Sequence, residues 1–124
     1  MAIFGAPLED PAAARHAATR CGRSWLRLAS MVSHGPWPLG VGIGLHVGSA
    51  VTGNVGSPRH NKFTAIGDAV NLASRLEQLT KKYPTRLIVS DSMVTALGAA
   101  AGAATSLGAV TVNGHTEPMC IWAR

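Results

Sequence analysis

Two stretches of the chain place apolar residues at steps of three and four, and the rest alternates or breaks. In the first stretch Ala14, Ala17, Cys21, Trp25, Leu28 and Val32 share one stripe, with Arg15, Arg20, Arg23 and Arg27 off it. This predicts an amphipathic helix packed on a sheet, its Arg side facing solvent. Asp10-Pro11 supplies the start, Asp as cap and Pro at the first helical position, and Gly35-Pro36-Trp37-Pro38 the stop. In the second stretch Ala69, Leu72, Ala73, Leu76 and Leu79 form the inward stripe, while Asn71, Ser74, Arg75 and Gln78 form the outward one. Asp68 stands where the N-cap belongs, with Val70 or Asn71 as its amide donor, and Pro84 ends the helix after Lys81 and Lys82.

Strand signals fill the intervals. Val41, Ile43, Leu45 and Val47 alternate with Gly42, Gly44, His46 and Gly48, which predicts a strand over 39–47 with one apolar and one nearly bare face. Glycines there admit a close neighbour, and His46 reads as packed or hydrogen-bonded; a lone His makes no metal site. Residues 49–56 predict a short strand and a Gly-rich turn, 57–61 a polar loop, and Phe63 to Ile66 a strand that turns at Gly67. Arg86 to Ser90 reads as an apolar strand, and Asp91 as the cap of a short helix through Leu97 closed by Gly98. Two strands, near Leu107 to Val112 and Pro118 to Ala123, flank the hairpin signal Asn113-Gly114. Met1 to Phe4 reads as the tail of a strand entering the turn Gly5-Ala6-Pro7.

Composition narrows the class. With 47% hydrophobic and 14% charged residues in 124, the chain is globular and forms a single domain. A formal charge of +5 suits an anionic ligand, but no basic patch interleaved with aromatics is present, so no nucleic-acid partner is expected. Cys21 and Cys120 match no metal spacing and read as buried free thiols of a cytoplasmic protein. No apolar run approaches the roughly 20 residues that span a bilayer, so no membrane insertion is expected.

Asn71 and Arg75 are neighbours on one helix face near the positive helix end, where a phosphate would be held, although any surface helix shows such residues on its wet side. Two commoner phosphate patterns fail. Gly48 and Gly53 are followed by Asn54 and Val55 in place of Lys and Ser or Thr, and Gly42, Gly44 and Gly48 lack the dinucleotide spacing and the following helix. The segment G-N-V-G-S followed by F-T-A-I-G-D-A-V-N-L-A-S-R-L-E, with M-A-I-F-G-A-P at the start and G-I-G-L-H-V-G between, resembles the signature of class III nucleotidyl cyclases over nearly the whole chain.

That resemblance implies an α/β fold, an α+β sandwich built as a ferredoxin-like cyclase palm: a mixed, mostly antiparallel sheet with helices packed on it, N-terminally incomplete over residues 1–124. It implies part of an adenylate cyclase catalytic domain that converts ATP to 3′,5′-cyclic AMP and pyrophosphate in signal transduction. Asn71 and Arg75 match the catalytic residues that hold ribose and triphosphate. Thr64, with the Ala65 amide beside it, matches the base-reading position, its hydroxyl favouring ATP. The family's two Mg or Mn ions are held by Asp residues whose positions would precede Met1, so this chain is expected to contribute no metal ligand and to be inactive alone. Asn113 and His115 stand where a basic residue commonly meets the triphosphate. The implied partner is a second cyclase catalytic domain, in a homo- or heterodimer. The alternative is a non-catalytic cyclase-like module that binds nucleotide or dimerises with and regulates an active cyclase.

Overall fold

The computed structural model describes residues 1–32, 40–57, 59–102, 104–112 and 117–123. Helix α1 spans Ala13–Val32. Asp10 fixes its entry: Oδ1 accepts from the Ala12 amide at 2.9 Å, and Oδ2 lies 2.8 Å from His16 Nδ1. These two contacts, the amide first, hold the Asp10 carboxyl below its ordinary pKa. Ala17 and Ala18 are buried, while Arg15, Arg20, Arg23 and Arg27 are exposed, as the stripe requires. The side chains of Trp25, Leu28 and Val32, and the proposed stop at Gly35-Pro36-Trp37-Pro38, lie outside the described residues.

Strand β1 is Ile43–Leu45, shorter than the alternating run. It pairs in parallel with β4 (Leu87–Ser90) through Ile43↔Leu87 and Leu45↔Val89. Strand β6 (Met119–Ala123) pairs antiparallel with β4 and with β5 (Thr105–Val110), giving the mixed order β1-β4-β6-β5. A second, two-stranded sheet joins β2 (Val51–Ser57) to β3 (His60–Ile66). Its register runs from Val51↔Ile66 to Ser57↔His60, so the expected polar loop over 57–61 is instead mostly ladder. Pairing of backbone groups makes these polar residues a strand where side-chain alternation shows none. The hairpin residues Asn113, Gly114 and His115 lie outside the described residues.

Residues Met1 to Phe4 form no strand, because no described strand pairs with them. Phe4 packs instead against the main core, which gathers Ala17, Ala18, Leu45, Leu87, Val89, Met93 and Leu97. The alternate residue of β4 points the other way: Ile88 joins Leu76 and Ile121 in a second cluster. All three are fully shielded, and each such burial is worth about 2 kcal/mol relative to exposure. Helices α1 and α3 (Asp91–Leu97) thus cover one face of β1 and β4, and α2 (Asp68–Leu79) the other. The bare face of β1 is what admits α2 so closely. A Cβ on Gly44 would run into the Ala73 carbonyl and the Glu77 amide, and one on Gly42 into the Thr80 hydroxyl.

Both Asp caps expected for α2 and α3 prove to be first-turn residues. Gly67 caps α2, its carbonyl accepting from Val70 (3.1 Å) and Asn71 (3.4 Å). With φ 149° and ψ 175°, it holds a backbone conformation open essentially to glycine alone. Ser90 caps α3, its Oγ accepting from the Met93 amide at 3.3 Å. Asp68 and Asp91 follow one residue later, where a carboxylate still suits the helix dipole. Cys21 is half-buried against the main core, and burial raises its thiol pKa. Cys120 corrects the expectation of two buried thiols: it is exposed, since β6 turns its neighbour Ile121 inward.

Candidate active site

Strand β3 feeds α2 through the single residue Gly67, and this unit carries every residue singled out for nucleotide binding. Thr64 lies opposite Gly53 in the hairpin, half-buried. It shares a hairpin face with the cross-strand pair Val51 and Ile66, which are 77% and 60% exposed. Ala65 points to the opposite face and is buried, so only its backbone is available to a ligand. Asn71 is exposed in the first turn of α2, and Arg75 is half-buried one turn on. Among the described residues, the side chains of Thr64, Asn71 and Arg75 have no hydrogen-bonding or ionic partner. The helix is anchored beneath them by Leu72 and Leu76.

Chemically this is a grip. A guanidinium and a carboxamide, one turn apart and unengaged, present up to seven N–H donors and one acceptor oxygen. Such a set suits a polyanion with a sugar attached, and an arginine fork fits phosphate oxygens in pairs. It holds no general base and no nucleophile. Among the described residues, no group of three His, Cys, Asp or Glu side chains converges to hold a metal ion. Two of the carboxylates are committed elsewhere: Asp10 to Ala12 and His16, and Asp91 to the Trp122 indole N–H at 3.2 Å. This donor set does not fit a two-metal centre. A hollow of about 470 Å³ lies at the far end of α2, lined by Thr80, Lys81 and residues 83–87 and by neither Asn71 nor Arg75.

One arrangement near the helix start was only partly legible. His46 is hydrogen-bonded as expected, but its partners Ser90 and Ser92 are 44 and 46 residues away, and Ser90 read merely as the end of a strand. The one sequence signal was Ser90 directly before the Asp91 helix, an N-cap position.

Comparison with known proteins gives the family. The profile of the adenylate and guanylate cyclase catalytic domain matches residues 1–123. The chain is 37% identical over 121 residues to an uncharacterized protein of Mycobacterium tuberculosis, covering 95% of this chain and 22% of that protein. It is 40% identical over 86 residues to an adenylate cyclase of Anabaena cylindrica, covering 68% of this chain and 17% of that protein. The crystal structure of a guanylyl cyclase superposes with a TM-score of 0.75 at 31% identity, covering 97% of this chain and 61% of that one. The adenylyl cyclase CyaB from P. aeruginosa gives a TM-score of 0.71 at 26% identity, covering 97% and 63%. The chain therefore belongs to the family of adenylate and guanylate cyclase catalytic domains and has their fold. It spans about a fifth of the length of the curated relatives. No helix among its described residues is long and apolar enough to cross a membrane.

Proposed function

We propose that this chain is the nucleotide-gripping part of an adenylate cyclase site, completed by a second cyclase catalytic domain. The observation that carries the reading is the pairing of Asn71 and Arg75 on α2, unengaged and joined through Gly67 to the strand bearing Thr64. The reaction joins the ribose 3′-oxygen of ATP to the α-phosphorus and expels pyrophosphate, giving 3′,5′-cyclic AMP. Arg75 offsets charge that grows on the triphosphate as the leaving group departs, and Asn71 holds the ribose so that the 3′-oxygen lies in line. The Thr64 hydroxyl and the Ala65 backbone meet the base, and a hydroxyl at position 64 favours adenine. The Mg or Mn ions expected of the family are assigned to the partner domain, since among the described residues no three His, Cys, Asp or Glu side chains converge. A cytoplasmic setting, which keeps thiols reduced, agrees with the two free cysteines.

The test is complementation. This chain is mixed with a full cyclase domain whose own Asn and Arg at the matching helix positions are replaced, and cyclic AMP and cyclic GMP are measured from ATP and GTP. Cyclic AMP synthesis is expected to return with the unaltered chain and not with Asn71→Ala or Arg75→Ala. No rescue at high protein concentration defeats the reading. That no metal-holding group converges among the described residues favours a second reading, a regulatory module that binds nucleotide or dimerises without completing a site. It is recognised by nucleotide binding, or by a changed rate of an intact partner, without rescue.

A further inference from the structure

His46 Nδ1, Ser90 and Ser92 form a relay in which the proton of each contact can be assigned. Ser92 Oγ donates to the Val47 carbonyl at 3.0 Å, which uses its only proton. The Ser90–Ser92 contact at 2.9 Å must then be a donation from Ser90, which uses the only proton of Ser90. Ser90 Oγ therefore accepts at its other contacts, from the Met93 amide at 3.3 Å and from His46 Nδ1 at 2.9 Å. Ser92 Oγ, 3.2 Å from the same nitrogen, is likewise an acceptor there. Nδ1 therefore carries a proton and donates to the two serines. The Nε2 edge faces the spot where a Cβ of Gly48 would fall, 2.8 Å from Nε2 and 3.0 Å from the Ala69 methyl. Gly48 is the bare position between the ring and the first turn of α2.

We infer that His46 is a positioning residue: fixed through Nδ1–H by the Ser90–Ser92 relay, it sets the place of the first turn of α2 and so of Asn71 and Arg75. The relay ties two elements at one end of the parallel pair β1 and β4 and lies across Gly48 from a third. Ser90 and Ser92 belong to the start of α3, Val47 follows β1, and Ala69 lies in the first turn of α2. A neutral ring with its proton on Nε2 would leave lone pairs facing one another at Ser92 or at Ser90. The link to the reaction rests on the cyclase reading above, whereas the proton assignment does not.

The experiment pairs a spectroscopic readout with a kinetic one. Two-bond ¹H–¹⁵N correlation spectra of the isotope-labelled chain, alone or with the unlabelled partner domain, are expected to show the Nδ1–H form of His46. In Ser92→Ala, Ser90 is released to donate to the ring, so the spectrum is expected to shift towards Nε2–H. An Nε2–H ring in the unaltered chain, or no change in Ser92→Ala, overturns the assignment. His46→Asn places an amide N–H where Nδ1–H was, and His46→Phe fills the space without a donor. In the complementation assay His46→Phe is expected to lower kcat roughly tenfold or more with KM little changed, and His46→Asn to restore most of it. Equal kcat for His46→Phe and the unaltered chain, or equal loss in both variants, overturns the positioning role. Should the unaltered chain not complement at all, the cyclase reading fails separately. The amide signals of Ala69 to Asn71 then decide: displaced in His46→Phe and near their original place in His46→Asn if the role is real, unmoved in both if it is not.

Discussion

The same chemical change, one added methyl, should have opposite signs at Gly44 and Gly22. At Gly44 the methyl meets the Ala73 carbonyl, the Glu77 amide and, at 2.9 Å, the Leu76 Cβ. Two of these are backbone atoms in the middle of α2, so no side chain can swing aside. Relief requires the helix to lift off β1, opening a gap beside Leu76, Ile88 and Ile121. Overpacking of this kind costs about 1–3 kcal/mol, and Gly44→Ala belongs at the upper end because the obstacle is main chain. At Gly22, inside α1, nothing lies within 4 Å of the new methyl. Gly22→Ala should gain about 0.5–1 kcal/mol from helix propensity and a less free unfolded chain. Urea unfolding followed by far-ultraviolet circular dichroism gives both values as midpoint shifts at constant slope. A Gly44→Ala protein within about 0.5 kcal/mol of the parent, the range of an ordinary surface change, refutes the claim that β1 and α2 touch backbone to backbone.

Three further outcomes are open to measurement. Because the Asp10 carboxyl is held below its ordinary pKa in the folded chain, its contribution to stability is present above that ordinary value, near pH 4, and is lost as pH falls towards the folded value. Asp10→Ala should flatten that acid limb of the urea midpoint, and an unchanged limb would remove the carboxylate from the helix entry. Iodoacetamide followed by peptide mapping should label exposed Cys120 well before half-buried Cys21, whose thiol is raised by burial; equal rates would contradict the facing of β6. In the complementation assay, Arg75→Lys should fall roughly a hundredfold in kcat, since a point charge cannot reproduce a two-pronged donor to phosphate. Full activity of Arg75→Lys would mean that charge alone is used.

The sequence made the helices legible and hid their boundaries. The stripes of α1 and α2 repeat over several turns, so burial of Ala17, Leu72 and Leu76 could be read directly. The caps could not, because an Asp one residue inside a helix looks the same in sequence as an Asp at the cap. Gly67 and Ser90 take the cap through backbone conformation and a hydroxyl aimed at Met93. The reach of β2 and β3 was hidden for a different reason, since Asn54, Ser57 and Asn61 join a ladder held by main-chain bonds and carry no apolar alternation. Cys120 read as buried because its neighbours are apolar, yet one position along a strand reverses the face. At the site, Thr64, Asn71 and Arg75 lie within one short segment and were found together. The His46 relay spans 46 residues, and only folding brings its members into contact.

The single-residue joint at Gly67 makes the distance between strand and helix a matter of phase. Seven positions separate Thr64 from Asn71, with no loop between them to absorb a change in length. One residue inserted after Gly67 would turn everything beyond it by about 100° around the helix axis. Either Leu72 and Leu76 would stay in the core and the insertion would be expelled as a bulge, or the grip would rotate away from the strand that faces the base. Substitutions along this segment can be tuned one by one, but its length is fixed like the spacing of teeth on two meshed wheels.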